Sequence, residues 1–466
     1  MRLPNRPPAS APTVAIAVVR GTQSPGSWPV FEVRSVTANR RSIVPPVGGL
    51  FFPVAASVAL SARATVTPKL LEKMIWAGAN LSSYEMAQES MQELGEQPIA
   101  ARRIRRQVEA IGEARVSQRE QEVESLKKMS FKERRTGSAT AEAPQLAVVM
   151  MDGGRYQRRD HFGEEGVPAE NTRHKHWRES KVGCLLSMQS DIHSSDPCER
   201  IPDCFIHASA VREIAKIAEK QGSEENPISE VSYAQVTKES NQEDRYKPPK
   251  LLERDVIASS QCSDMFGWQL EARAWKLNFP SATRQAFVAD GAKTNWRIQR
   301  AHFPNATPVA DLIHALSYAW GASQSVAEDD LYSKWAQLIW QGDVKQLIAE
   351  LTNQQIVLGK PPKEATSSDP RYRLNRALIY FTNNASHMNY PEYRRNGLPI
   401  TSSHIESTVK LINRRIKGSE KFWLKSSSEH VLQLRADHLC DSKPLTPFWH
   451  RWHADHTGSN QYQTAG

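Results

Sequence analysis

The sequence has few cysteines and no long apolar run, and each absence excludes a class of protein. No stretch of this 466-residue chain approaches the ~20 apolar residues that a membrane-spanning helix needs. Prolines interrupt the basic N-terminus, so we expect no signal peptide. The five cysteines lack paired CxxC spacing, so we expect reduced thiols rather than a zinc site. These cysteines are Cys184, Cys198, Cys204, Cys262 and Cys440.

Negative charge is also in deficit. The chain has 60 Lys and Arg residues against 51 Asp and Glu, a formal net charge of +9. This excess is compatible with a polyanionic partner such as nucleic acid, although net charge alone does not establish one.

The N-terminal third changes character along its length. Residues 1–65 are rich in Pro, Ser and Val without a helical period, and we expect little order there. Residues 66–140 have helical periodicity, and "GEQPIAARRIRRQVEAIG" places a turn before a basic helix. This layout is typical of a helix-turn-helix whose recognition helix contacts DNA, and it fits a solvated helical face equally well. The candidate DNA contacts are Arg102, Arg103, Arg105 and Arg106.

Two apolar runs each end in Asp-Gly. Leu146–Met151 precedes Asp152, and Phe287–Ala289 precedes Asp290, which predicts two buried strands that end in a carboxylate. Residues 179–188 predict a neighbouring strand. Asp-Gly is also ordinary turn chemistry, so the two aspartates alone are weak evidence for a site.

A third carboxylate lies in the first turn of a predicted amphipathic helix. Ile405, Val409, Ile412 and Ile416 form its apolar stripe, and Glu406 lies on the adjacent polar face. Such a helix can dock on the sheet and direct Glu406 towards the ends of the strands. Two aspartates and a glutamate would form an all-oxygen site, which Mg²⁺ and Mn²⁺ prefer.

Several blocks in this order resemble bacterial insertion-sequence transposases of the DDE class. The resemblance is closest to the Kra-type group, which is related to Mutator-like transposases. It covers most of residues 50–438, and its specificity comes from the number of blocks rather than from any one of them. The blocks include "FFPVAASVALS", "VMMDGGRYQRR", "HWRESKVGCLLSM", "FVADGAKTNW", "HFPNATPVADLIHALSYAW", "YFTNNASHMNYPEYRRNGLPITSSHIESTVKLINRRIKGSEKFW" and "VLQLRADHL".

The resemblance implies an α/β, ribonuclease H-like core, a mixed sheet flanked by helices and interrupted by a helical insertion. Asp152, Asp290 and Glu406 would be its catalytic acids and would hold two Mg²⁺ or Mn²⁺ ions. The predicted boundaries are 141–300 for the first part of the core with a flexible excursion at 221–250, 301–390 for the insertion, 391–438 for the last part of the core, and 439–466 for a flexible tail.

Two features accompany the resemblance. Asp311 and His314 match an aspartate-x-x-histidine motif of related transposases, and we favour a buried, hydrogen-bonded structural pair over a contact to DNA. The segment "PITSSHIES" before the helix departs from the glycine-containing turn that the family more often shows. Glu420 also stands where glycine is more usual, and it is therefore a rival to Glu406.

The implied activity is metal-dependent cleavage and joining of DNA at the ends of a mobile element. The expected partners are the terminal inverted repeats, target DNA and further copies of the chain on that DNA, in the cytoplasm with the nucleoid. A non-catalytic DNA-binding relative and a metal-dependent nuclease on the same fold remain alternatives. Candidate phosphate contacts in the core, each equally compatible with plain solubility, are Arg155, Arg158, Arg159, Lys410, Arg414 and Arg415.

Overall fold

A mixed sheet flanked by helices forms the centre of the protein, which confirms the α/β class. The computed structural model describes residues 66–138, 140–159, 176–206, 214, 247–326 and 330–457. The predictions for residues 1–65, for 221–246 and for the last part of the tail, 458–466, lie outside the described residues. No helix in the described ranges is long and apolar enough to cross a membrane.

The described secondary structure begins with helices. They are α1 (Pro68–Asn80), α2 (Tyr84–Glu93), α3 (Ala101–Lys128) and α4 (Phe131–Thr136). The sheet contains β1 (Leu146–Arg158), β2 (Trp177–Gln189), β3 (Lys250–Ser259), β4 (Arg284–Ala289), β5 (Thr307–Ala310) and β6 (Phe422–Trp423). Between and after the strands lie α5 (Ser263–Lys276), α6 (Lys293–His302), α7 (Leu312–Ser323), α8 (Leu331–Trp340), α9 (Val344–Leu358), α10 (Pro370–Asn384), α11 (Tyr390–Arg395), α12 (Ser403–Ile416), α13 (Lys425–His438) and α14 (Leu445–Thr457).

The strand order is β3-β2-β1-β4-β5, with β6 paired to β1. β2 is antiparallel to both β1 and β3, whereas β4 and β5 continue the sheet in parallel with β1. Apolar side chains of β1 and β4 form the middle of the core, and Val148, Met150, Phe287 and Val288 are buried.

Helices cover both faces of the sheet, and adjacent residues of β2 show how. Gly183 faces α5, where an added Cβ would come within 2.4 Å of Leu270 Cδ2. Cys184 points to the other face, and its Sγ lies 3.2 Å from Thr408 Oγ1 on α12. This alternation is the two-residue period of a strand.

Three strands differ from the sequence prediction. β1 does not end at Asp152, because Gly153 and Gly154 remain paired with β2 and the strand continues to Arg158. β3 begins at Lys250, where the flexible excursion was expected to end. β5 adds a short strand inside the predicted helical insertion, and α7 to α10 lie in the described residues that follow it up to α11.

Helices lie at both ends of the described chain. The helix carrying the four arginines, α3, runs for 28 residues and extends well beyond them. A helix, α14, occupies part of the predicted flexible tail. The chain divides into two units, of which Pro68–Phe448 is the larger. In the described part of the other unit, Trp449 stacks on His453 with ring centroids 5.3 Å apart.

Buried ion pairs connect α3 to the core. Arg115 donates to both carboxylate oxygens of Asp437 on α13, at 2.9 and 3.1 Å. One turn further along α3, Arg119 donates to Glu429 at 2.7 Å. All four side chains are at most 7% exposed, so neither pair exchanges its hydrogen bonds with water. The helices approach closely at Gly112, where an added Cβ would lie 2.4 Å from His430 Cβ.

We predict that Glu429→Leu strongly destabilises the protein. Besides Arg119, Glu429 accepts hydrogen bonds from Ser259 and from the amide and hydroxyl of Ser260. Its removal would leave a buried guanidinium without its carboxylate, and we expect a loss of about 3–5 kcal/mol in the free energy of unfolding.

Urea unfolding measures this loss, with Glu124→Leu as the matched control. Glu124 pairs with Lys127 at the surface and is 59% exposed. We expect the control to change stability by less than about 0.5 kcal/mol. Equal, small effects of the two substitutions would contradict the structural role of the buried pair.

Candidate active site

Asp152 lies on β1, and Asp290 directly follows the adjacent parallel strand β4 at the same level of the sheet. Val149 pairs with Phe287 and Met150 with Val288, and the same register carried two residues further brings Asp152 beside Asp290. Neighbouring strands are about 4.8 Å apart, and residues in register point to the same face. The two carboxylates are therefore close neighbours.

The surroundings of Asp152 disfavour its ionised form. Burial and the neighbouring charge of Asp290 raise its pKa to about 6. The hydrogen bond that Oδ1 accepts from the Gly153 amide at 2.6 Å opposes the shift and does not cancel it. A carboxylate with this environment is stabilised by a nearby cation.

Asp290 is held by the turn that follows β4. Its Oδ1 accepts hydrogen bonds from the Ala292 amide at 3.0 Å and from Asn295 Nδ2 at 2.8 Å. Gly291 has a φ of +98°, and a Cβ added there would come within 2.8 Å of the Tyr380 ring. Glycine is required on both counts, because it tolerates this backbone conformation and lets α10 approach the turn.

The α12 helix brings Glu406 to the aspartates. Its predicted apolar stripe, Ile405 to Ile416, is buried against the sheet. The close approach to β1 depends on Gly154, because an added Cβ would come within 2.7 Å of Asn413 Oδ1. Gly154 therefore makes room for α12, whereas a Cβ at Gly153 would come within 2.7 Å of Glu179 Oε1 on β2.

The pKa of Glu406 shows what surrounds it. Burial is the main cause that raises its pKa to about 9, and the charges of Asp311 and Asp152 add to the shift. His314 and Lys410 act in the opposite direction. Asp152 thus interacts electrostatically with both Asp290 and Glu406, so the structure brings the predicted acids into one charged cluster.

Asp311 and His314 form a hydrogen-bonded pair beside this cluster. The fully buried Asp311 caps α7, and its Oδ2 lies 2.6 Å from His314 Nδ1 and accepts from the His314 amide. Its Oδ1 accepts from the Ser402 amide at 2.9 Å. This bond ties the start of α12 to α7, as the structural interpretation of the pair predicts.

His314 also supplies positive charge. Burial opposes its protonation, but the hydrogen bond and charge of Asp311, with Asp290 and Glu406, raise its pKa to about 10. The imidazole is therefore protonated at neutral pH and offsets part of the negative charge of the ionised acids beside it.

The donor set fits a hard divalent cation. Asp152, Asp290 and Glu406 offer carboxylate oxygens, and burial together with neighbouring acids raises the pKa values of Asp152 and Glu406, a cost that a bound cation would reduce. Within the described ranges, no group of three or more His, Cys, Asp and Glu side chains is already arranged so that it could hold a metal ion.

No family model matches this chain, and no curated protein matches it either.

The rival glutamate has a different environment. Glu420 lies beyond the end of α12, is exposed, and forms a hydrogen bond with Ser419 at 3.0 Å. Hydrogen bonds from its own backbone and from Ser419 lower its pKa, in contrast to the raised pKa of Glu406. The charge cluster includes Glu406 and favours it as the third acid.

The predicted DNA contacts fall into two groups. Arg102, Arg105 and Arg106 are exposed near the start of α3, with Arg105 2.9 Å from Glu109, and Arg103 is partly exposed. In the core, exposed or partly exposed positions are Arg155, Arg159, Lys410 and Arg414. Arg158 and Arg415 are buried and not available to phosphates, which corrects the prediction for these two residues.

Arg415 has a structural role that its sequence neighbours do not reveal. Its Nε donates to the Gly78 carbonyl at 2.8 Å, and its guanidinium lies over the rings of Tyr84 and Trp423. It therefore links the end of α12 to α1 and α2. Tyr380 and Asn384, which pack against Gly291, were not predicted from the sequence, because these α10 residues carry no signal beyond ordinary helical periodicity.

We predict that Glu406→Gln stabilises the metal-free protein at alkaline pH. The pKa of Glu406 is raised from 4.5 to about 9, so between these values the folded protein holds a proton that the unfolded chain has released. The free energy of unfolding of the wild type therefore falls as the pH rises through this window. The amide removes this pH-dependent loss, and at pH ~8 we expect a melting temperature about 3 °C or more above the wild type.

Thermal unfolding in EDTA across the pH range measures the difference in melting temperature between Glu406→Gln and the wild type. This difference should shrink as the pH falls towards 4.5, where Glu406 becomes protonated in both the folded and the unfolded wild type. Glu420→Gln is the control, and the exposed position of Glu420 predicts no stabilisation. A Glu406→Gln protein that melts at the wild-type temperature throughout would show that the pKa of Glu406 is not raised in the folded protein.

Proposed function

We propose that this chain is a DDE-class transposase that cleaves DNA at the ends of an insertion sequence and joins those ends to target DNA. The observation that carries the proposal is the meeting of Asp152, Asp290 and Glu406, from a strand, a strand end and a helix far apart in sequence. The resemblance assigns these three positions to the catalytic acids.

A ribonuclease H-like core is part of the proposal. In support of it, Asp152 lies within β1 and Asp290 directly after β4 in a mixed sheet that has helices on both faces. In further support, the described residues between β5 and α12 form the helices α7 to α11 with their connecting loops. α10 of this segment contacts the Asp290–Gly291 turn and so contributes to the walls of the site.

The three carboxylates would hold two Mg²⁺ or Mn²⁺ ions. Such ions supply Lewis-acid chemistry at phosphorus, favouring attack by water or a DNA 3′-hydroxyl and stabilising the departing oxygen. Asp290 is oriented by Asn295 and the Ala292 amide, and Glu406 by the burial of the stripe beside it. Protonated His314 keeps a positive charge beside Glu406 and Asp290 and limits the repulsion between the acids.

Recognition of the element ends is assigned to the helical N-terminal region. The α2 and α3 helices are held together where Gln88 Oε1 accepts from the Ala101 amide at 2.7 Å. The exposed arginines follow within the first two turns of α3, where they can contact phosphates and base edges of the terminal repeats. We propose that the protein acts on these repeats and on target DNA as a homo-oligomer.

Glu406→Gln tests the catalytic part of the proposal. The amide preserves shape but not charge and binds Mg²⁺ poorly, so DNA nicking and strand transfer should each fall by about 100-fold or more. Binding of terminal-repeat DNA should persist, because Glu406 lies on α12 and not on the proposed recognition helix. Glu420→Gln should keep wild-type activity.

Strand-transfer products distinguish a transposase from a nuclease on the same fold. Wild-type protein that cleaves element ends without ever joining them to target DNA would favour the nuclease. Full strand transfer by a folded Glu406→Gln protein would contradict the assignment of Glu406.

Replacing the four α3 arginines by glutamine tests DNA recognition. Removal of one arginine–phosphate interaction should lower the slope of log affinity against log salt by about 0.9, so terminal-repeat binding should weaken most at low salt. Lys127 and Lys128 at the other end of α3 provide the control, and their replacement by glutamine should leave the slope unchanged. Wild-type binding by the quadruple variant would exclude this surface.

A further inference from the structure

An aromatic ladder runs from the candidate active site along the face of the helical insertion. Tyr380 on α10 is buried and packs against Gly291, directly after Asp290. Tyr318 on α7 stacks on Tyr380 with ring centroids 4.0 Å apart and ring planes 15° from parallel. Tyr318 lies one helical turn beyond His314 and is partly exposed.

An arginine and another tyrosine extend this ladder outwards. The guanidinium of Arg376 lies 5.6 Å from the centroid of Tyr318 and 5.7 Å from that of Tyr372. Arg376 also donates to the Tyr318 hydroxyl at 3.4 Å. Arg376 and Tyr372 are one turn apart on α10, and both are partly exposed. Two accessible rings thus flank one cation, next to a cluster of acids.

One further observation points to a ligand. The hydroxyl of Tyr380 is buried and has no hydrogen-bond partner among the described residues. Buried polar groups in folded proteins normally have a partner, and one without is expected to bond to a ligand or a water. The packing of Tyr380 against Gly291 places this ring at the Asp290 end of the ladder.

We propose that the face formed by Tyr318, Tyr372 and Arg376 binds unpaired nucleotides that flank the scissile phosphate. An aromatic ring can stack on a base when that base has left the duplex, and arginine between such rings suits the intervening phosphate. A surface for intact duplex needs cations and gains little from the two rings, so the face favours unpaired DNA. This inference rests on the proposed function for the position of the cleaved bond.

Fluorescence anisotropy in EDTA tests the inference without cleavage. The probes are a duplex with a short unpaired arm and the fully paired duplex of the same sequence. We expect the wild type to prefer the armed duplex. Tyr318→Leu, Tyr372→Leu and Arg376→Gln should each weaken binding of the armed duplex by about five- to 100-fold and leave the paired duplex unaffected.

Conservative and neighbouring variants separate binding from folding. Tyr318→Phe keeps the ring and should retain the preference for the armed duplex. Arg371→Gln is the matched control, since Arg371 lies on the same helix and is held by Asp369 at 2.8 Å. Thermal unfolding should show that the tyrosine and arginine variants remain folded. If Tyr318→Leu does not fold, Tyr372→Leu provides the test, because Tyr372 lies outside the stacked pair of Tyr318 and Tyr380.

Each outcome separates this inference from the proposed function. An armed duplex bound no better than the paired one, or bound equally by all folded variants, would overturn the inference even if the protein transposes DNA. Equal weakening of both probes would overturn it as well. If the variants lose only the binding of the armed duplex, and the wild type cuts no DNA, the inference is supported and the assignment as a transposase is contradicted.

Discussion

The parallel register of β1 with β4 is the constraint on which the candidate site depends. It places Asp152 beside Asp290, although their repulsion would separate them in a flexible chain. The apolar residues of the same two strands hold this register, because β1 is buried on both faces from Leu146 to Met151 and a slip of one residue would exchange the side chains packed on the two faces. Apolar packing along β1 and β4 therefore holds the two acids close together.

The helix α12, which carries Glu406, is positioned by contacts with β1 and α7. Gly154 lets α12 lie close to β1, and the bond from the Ser402 amide to Asp311 sets where that helix starts. The third acid thus depends on contacts with both β1 and α7. Arg415 and the ion pairs of Arg115 and Arg119 connect the same body to α1, α2 and α3. Cleavage and recognition of DNA would then take place on one connected scaffold.

Local sequence predicts those elements whose pattern is strong and continuous. The apolar stripe of α12 and the strand before Asp290 lie where the sequence predicts them. β3 was missed because charged, exposed residues occupy its first half, as is common in an edge strand. The four residues of β5 are too few to show a period.

Other features depend on contacts between distant residues. Asp-Gly-Gly after an apolar run has the composition of a turn. The strand β1 nevertheless continues through these residues, because they pair with β2, and Gly154 leaves space for α12. Arg415 has the sequence context of a surface cation, but Tyr84 and the Gly78 carbonyl enclose it. The identity of the third acid rests on the resemblance, and its electrostatic link to Asp152 emerges only in the folded chain.

A crystal structure of the protein with Mn²⁺, with anomalous scattering to locate the ions, tests the central claim most directly. We expect Mn²⁺ bound by carboxylate oxygens of Asp152 and Asp290, with Glu406 directed at the same site. Mn²⁺ bound elsewhere, with these three carboxylates bare at a saturating concentration, would contradict the assignment of the site.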